Sequence, residues 1–168
     1  MKIEKVYKES LPAVKLIGKR YTDRDRDEMG TFTRNWEACF HEGWRDTLMK
    51  NGAIPGVSDD MVGAMRMTDD GFEYWIGALR APTAPTPDGF ESIEIPAGEL
   101  GVCWLYGNGK SGELYGMEAW NLSTAALSEK GWKFSDKGWF FERYNCPRFT
   151  VPDEEGNVIL DICAYLVP

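Results

Sequence analysis

What most constrains this chain is an order of elements that occurs twice, once on each side of the proline-rich stretch Ala81–Gly89. Ahead of that stretch, Lys2–Tyr7 alternates apolar and charged residues and Ala13–Gly18 reads as a second strand. Trp36, Phe40, Trp44 and Leu48 then recur every four residues between about Gly30 and Lys50, the spacing of one buried helical face, with Asn51 and Gly52 as its stop. Met61–Met67 and Phe72–Ala81 form a hairpin across Asp69-Asp70-Gly71. Beyond the prolines, Phe90–Ile95 and Glu99–Tyr106 read as strands, Met117–Lys130 as a helix, and Trp139–Tyr144 and Val158–Val167 as a strand pair. Strand, helix, strand, strand has then occurred twice, with first strands at about 13–21 and 98–106. The expected fold is α+β: a single domain over 1–168 with pseudo-repeat halves of about 1–81 and 90–168. Its two βαββ units would form one antiparallel sheet, with both helices on one side and a ligand groove near the seam on the other.

A formal charge of −8 opposes nonspecific attraction to nucleic acid, which needs clustered Lys and Arg, while the same field favours cationic small molecules. No stretch is apolar enough for a signal peptide or a membrane-spanning helix, so a cytoplasmic location is expected, with no membrane partner. The four cysteines, Cys39, Cys103, Cys146 and Cys163, are scattered without a C-x-x-C pair and read as reduced packing residues, not as a disulfide framework or a zinc site.

Several signatures fail on inspection. His41-Glu42-Gly43-Trp44-Arg45 begins like a helical zinc-protease motif, but Arg45 stands where the second histidine belongs, and His41 is the only histidine. Gly109-Lys110-Ser111 mimics the end of a phosphate loop, yet Trp104 occupies the leading glycine position. No nucleophile elbow or catalytic triad is present in the pattern, and no metal or cofactor is expected.

Carboxylate-plus-aromatic chemistry remains. Side chains of a strand alternate, so in Gly138–Tyr144 the residues Phe140, Glu142 and Tyr144 share one face while Trp139, Phe141 and Arg143 share the other. A carboxylate walled by rings is either salvaged by a neighbour such as Arg143, or kept to meet a cation or move a proton. Tyr74, Trp75, Trp104 and Tyr106 lie on strands expected to approach the same seam, and Asp161 lies on a strand whose facing is open.

Four segments, Phe72–Gly77, Gly89–Val102, Phe141–Tyr144 and Leu160–Pro168, resemble the GyrI-like small-molecule-binding family, which includes the effector-binding domains of AraC-type and MerR-type regulators. The resemblance spans roughly Pro12 to Pro168 and implies a duplicated βαββ fold whose groove has a glutamate at its base for cationic, aromatic ligands. It assigns that glutamate to Glu142, with Tyr144 beside it. No helix-turn-helix segment precedes Pro12, so stand-alone members are the fair comparison. Three functions follow as expectations: sequestration of a hydrophobic cation by Glu142, Tyr144, Phe140, Tyr74, Trp75 and Trp104; hydrolysis of an electrophilic cyclopropane-bearing genotoxin, with Glu142, Tyr144 and Tyr106 as catalytic groups; and interaction with a protein such as gyrase.

Overall fold

The computed structural model describes residues 1–57, 59–135 and 137–167; Pro168, the last residue of the resembling segments, lies outside them. The strands are β1 Lys2–Leu11, β2 Val14–Thr22, β3 Met61–Thr68, β4 Gly71–Arg80, β5 Glu91–Ile95, β6 Gly98–Asn108, β7 Lys133–Phe134, β8 Phe140–Arg143 and β9 Asn157–Val167. The helices are α1 Thr33–His41, α2 Trp44–Leu48 and α3 Met117–Glu129. None of these is long and apolar enough to cross a membrane.

All strand pairs are antiparallel, in the order β1-β6-β9-β8-β3-β4-β2-β5, with β7 added to β9. The order is the same from either end: three strands of one half, then three of the other, each set flanked by a strand from the opposite half. The halves meet where β8 pairs with β3.

Only Pro12 and Ala13 separate β1 from β2, although these strands lie toward opposite flanks of the sheet. The sheet must therefore curl until its flanks approach. Its inner face shows the result: Leu11, Val14 and Leu16 from the flanks share one core with Val62, Trp75, Phe141 and Cys163 from the middle. The outer face carries the helices. Phe32, Cys39, Trp44 and Leu48 pack on Ile17, Tyr74, Ile76 and Ala78, while Leu127 of α3 packs on Cys103, Phe140 and Ala164. Burial of these apolar side chains supplies the main drive for the fold, at about 25 cal/mol per Å² removed from water.

Two sequence expectations need correction here. The four-residue stripe does not run as one helix: Gly43 adopts φ 66°, a left-handed conformation suited to glycine, and ends α1 before α2 begins. Trp44 and Leu48 reach the core, but Phe40 is 70% exposed and Trp36 is only half-buried. Of the cysteines, three are buried as expected, whereas Cys146 is exposed.

Candidate functional site

The register at the seam decides which side chains meet. Glu142 of β8 pairs with Gly63 of β3, and Gly63 in turn pairs with Ile76 of β4. Because Gly63 has no side chain, Tyr74, two residues along β4 from Ile76 and on the same face, reaches over it from the far side. Its hydroxyl donates to Glu142 Oε2 at 3.1 Å, and the Tyr144 hydroxyl donates to the same oxygen at 3.0 Å. A Cβ on Gly63 would lie 2.5 Å from the Tyr74 hydroxyl and 2.9 Å from Glu142 Oε2, so only glycine leaves the space for this junction.

Rings from α1 and the loop ahead of it enclose the junction. Trp36 Nε1 donates to the Tyr74 hydroxyl at 3.0 Å, and the Trp36 ring meets Tyr144 edge-on at 4.8 Å. Phe32 lies flat on Tyr74, centroids 4.2 Å apart and planes 3° apart. Exposed Phe40 extends the Trp36 stack outward at 6.0 Å. On the other flank, Trp120 of α3 packs against Phe140 at 4.6 Å, and exposed Tyr115 and Met117 stand at the start of that helix.

Glu142 is therefore a half-buried carboxylate among rings, and no Lys or Arg forms an ion pair with it among the described residues. Desolvation raises its pKa above the ordinary carboxylate range, and the hydrogen bonds from Tyr144 and Tyr74 oppose that rise. Burial, followed by the charge of Glu142, pushes both phenols well above the usual tyrosine range, so they remain hydrogen-bond donors. The arrangement can neutralise a desolvated cation or hold a proton. No cluster of His, Cys, Asp and Glu suited to a metal ion occurs among the described residues.

The alternation along Gly138–Tyr144 places Arg143 on the inner face, away from Glu142. Its guanidinium donates to Glu9 Oε1 at 2.6 Å, Glu9 Oε2 at 3.1 Å and Asp161 Oδ2 at 3.0 Å. Asp161, fully buried, also accepts from Arg148 and Asn145, so it is a structural ion-pair centre remote from Glu142.

The structure brings Glu142, Tyr144 and Tyr74 together and places Phe140 beneath α3, 4% exposed. It does not bring in the other expected residues. Trp75 sits in the inner core with its Nε1 on Glu73. Trp104 is also on the inner face, between Lys5 and Arg148 at 4.8 Å each. There it lines a separate polar cleft of about 530 Å³ with Tyr7, Glu9, Arg143 and Arg148, whose arginines are already paired with Glu9 and Asp161. Tyr106 donates to Asp153 at 2.5 Å at the sheet rim and takes no part at Glu142. Glu142 also shares the helix-bearing face of the sheet, contrary to the expected groove on the opposite side.

Trp36, Phe32 and Gly63 were not singled out from sequence as site residues. Trp36 carried a signal, its helical spacing, but that spacing reads equally as core.

No protein-family model matches the sequence, and comparison with curated proteins gives no significant match. Solved structures do match along nearly the whole chain. One, described as SAV2435 bound to tetraphenylphosphonium, has a TM-score of 0.68 at 15% identity, covering 98% of this chain and 94% of that one. The EcmrR C-terminal domain has a TM-score of 0.60 at 11% identity, covering 99% of each chain. A hydrolase from Listeria innocua has a TM-score of 0.51 at 10% identity, covering 97% and 92%. The chain therefore shares the fold of these proteins along nearly its whole length, as the resemblance to the GyrI-like family leads one to expect.

Proposed function

We propose that the chain binds a hydrophobic, cationic aromatic small molecule on the outer face between α1 and α3, with Glu142 as counter-charge. The observation that carries this is a desolvated carboxylate with ring walls and no cation of its own. Trp36, Tyr144 and Phe40 offer stacking surface, and the likeness to a protein solved with tetraphenylphosphonium supports the ligand class. A desolvated cation beside such groups gains about 2 kcal/mol. Glu142→Gln should therefore weaken tetraphenylphosphonium by roughly ten- to thirty-fold and leave neutral triphenylmethanol nearly unchanged at neutral pH. Tryptophan fluorescence titration reads both; equal weakening of the two ligands removes Glu142 from the site.

A second reading is favoured by the raised pKa of Glu142 and by the likeness to a hydrolase. Glu142 would take a proton from water as its oxygen bonds an electrophilic cyclopropane carbon. The ring bond would break toward a conjugated carbonyl, which takes up a proton in turn. Tyr144, hydrogen-bonded to Glu142, would assist, while Tyr106 donates to Asp153 instead. Incubation with a cyclopropane-bearing alkylator, followed by mass spectrometry, separates the readings. Turnover abolished by Glu142→Gln supports hydrolysis; stoichiometric protection without hydrolysed product leaves a sequestering protein.

A further inference from the structure

The hydrogen bonds around Glu142 have a direction, set by Trp36. An indole N–H can only donate, so at 3.0 Å it fills an accepting position on the Tyr74 oxygen. The proton of Tyr74 must then go elsewhere, and Glu142 Oε2 lies 3.1 Å away. Tyr144 donates to that same oxygen, and the other acceptor within its reach is the Tyr74 oxygen, which Trp36 already occupies. Oε2 thus receives two donors, while Oε1 receives no hydrogen bond from any described residue and is left open. A proton arriving at Glu142 meets the same constraint. On Oε2 it would face one hydroxyl already accepting from Trp36 and another whose alternative acceptor is that same occupied Tyr74 oxygen, so Oε1 is the oxygen that takes it.

We propose that Trp36 determines which ligands this groove accepts: by committing both phenolic protons to Oε2, it makes Oε1 the ligand-facing oxygen, a bare anion toward a cation and, when protonated, a hydroxyl donor toward a neutral aromatic bearing a phosphoryl, carbonyl or ether oxygen. This rests on the reading of the groove as a small-molecule site. Trp36 acts through Tyr74 and is a positioning residue. The titratable groups facing Glu142 are the phenols of Tyr74 from β4, Tyr144 at the end of β8 and Tyr115 from the turn before α3. Gly63 on β3 and Ile162 on β9, its partners in register, carry no charge. The raised pKa of Glu142 brings protonation closer to neutral pH than for an ordinary glutamate.

The test uses the full chain with ¹³C-carboxyl-labelled glutamate. The Glu142 signal is assigned by its loss in Glu142→Gln and followed by NMR against pH without ligand. Trp36→Phe keeps a ring against Tyr144 but frees an accepting position on Tyr74, so the neutral acid gains a partner and the midpoint rises by about 0.5–1 unit. In the wild type, triphenylphosphine oxide should bind several-fold more tightly as pH falls through the midpoint while tetraphenylphosphonium weakens. In Trp36→Phe, the acid proton turns to Tyr74 and the phosphine oxide loses that gain. Tyr144→Phe removes a donor but leaves Tyr74 filled, so it raises the midpoint and keeps the gain. An unmoved midpoint in Trp36→Phe, or phosphine oxide binding indifferent to pH in the wild type, overturns the inference. A moved midpoint with neither ligand bound at any pH overturns the binding reading and leaves the hydrogen-bond assignment standing.

Discussion

Alanine at position 63 should disrupt the junction of Tyr74, Glu142 and Tyr144 from beneath. The added methyl would lie 2.5 Å from the Tyr74 hydroxyl, whereas ordinary contact needs about 3.5 Å, so the ring must retreat by close to 1 Å. It has little room to do so: Tyr74 is 5% exposed and Phe32 covers its face at 4.2 Å. Overpacking of this kind costs about 1–3 kcal/mol, and losing the hydrogen bond to Glu142 adds about 1 kcal/mol. The sum, about 2–4 kcal/mol, corresponds to a fall in Tm of about 5–15 °C for a chain this long. Tyr74→Phe removes the oxygen that is struck first, leaving the 2.9 Å approach to Glu142 Oε2, at the end of a flexible side chain, and a milder 3.2 Å approach to the ring carbon Cζ. In that background Gly63→Ala should cost at least about 1 kcal/mol less. Urea denaturation of the four proteins measures the cycle. A Gly63→Ala protein as stable as wild type, or strict additivity with Tyr74→Phe, would refute the steric argument.

Three further outcomes follow from the same geometry. Because burial raises the pKa of Glu142, the folded state holds its proton more tightly than the unfolded chain; stability from that proton is present below the unfolded-state pKa and lost as pH rises toward the folded one. Glu142→Gln cannot ionise, so its urea midpoint should exceed that of wild type in neutral solution, with the gap closing below about pH 4. Asp161→Asn strips the charge from a fully buried acceptor of Arg143 and Arg148 and should cost about 3–5 kcal/mol in urea denaturation, while the folded variant keeps its affinity for tetraphenylphosphonium. Phe40→Ser should weaken that ligand several-fold with unchanged stability, since the ring is 70% exposed beside Trp36, whereas Trp104→Phe, on the inner face, should leave fluorescence-measured affinity within about twofold.

Alternation within a strand is local, and the facing of Phe140, Glu142 and Tyr144 could be read directly from Gly138–Tyr144. How one strand faces relative to the next depends on register, and a slip of one residue reverses every side chain. That is why Tyr74 and Trp75, adjacent in the chain, were both expected near the seam although only Tyr74 reaches Glu142. Register also decides where Trp104 lies: it pairs with Asp161, and therefore shares the Arg143 face of β8 and not that of Glu142. Gly63 looked like an ordinary strand residue until its partner in register was known. Trp36 and Phe40 were hidden by a different effect, because helical periodicity says which residues share a face but not whether that face meets a core or a ligand. The left-handed turn at Gly43 divides the stripe, leaving Trp44 and Leu48 in the core and Phe40 exposed.

The exchange of flanking strands bears on how the proposed site can adapt. β1 hydrogen-bonds to β6, and β5 to β2, so each half of the chain clasps the other with its own leading arm. This is the geometry of a swapped dimer drawn into a single polypeptide. Cutting the connector between Ala81 and Gly89 would give two fragments, each lacking one strand and each carrying the strand that the other lacks, and such fragments should seek one another. While the chain is whole, the clasp holds β3 and β8 together at the seam, so the halves cannot swing apart like jaws. In the proposed site, ligands of different size would then be accommodated by side chains turning on a fixed floor, with Phe40 and Met117 exposed and free to turn and Tyr115 held by its hydrogen bond to the Gly109 carbonyl.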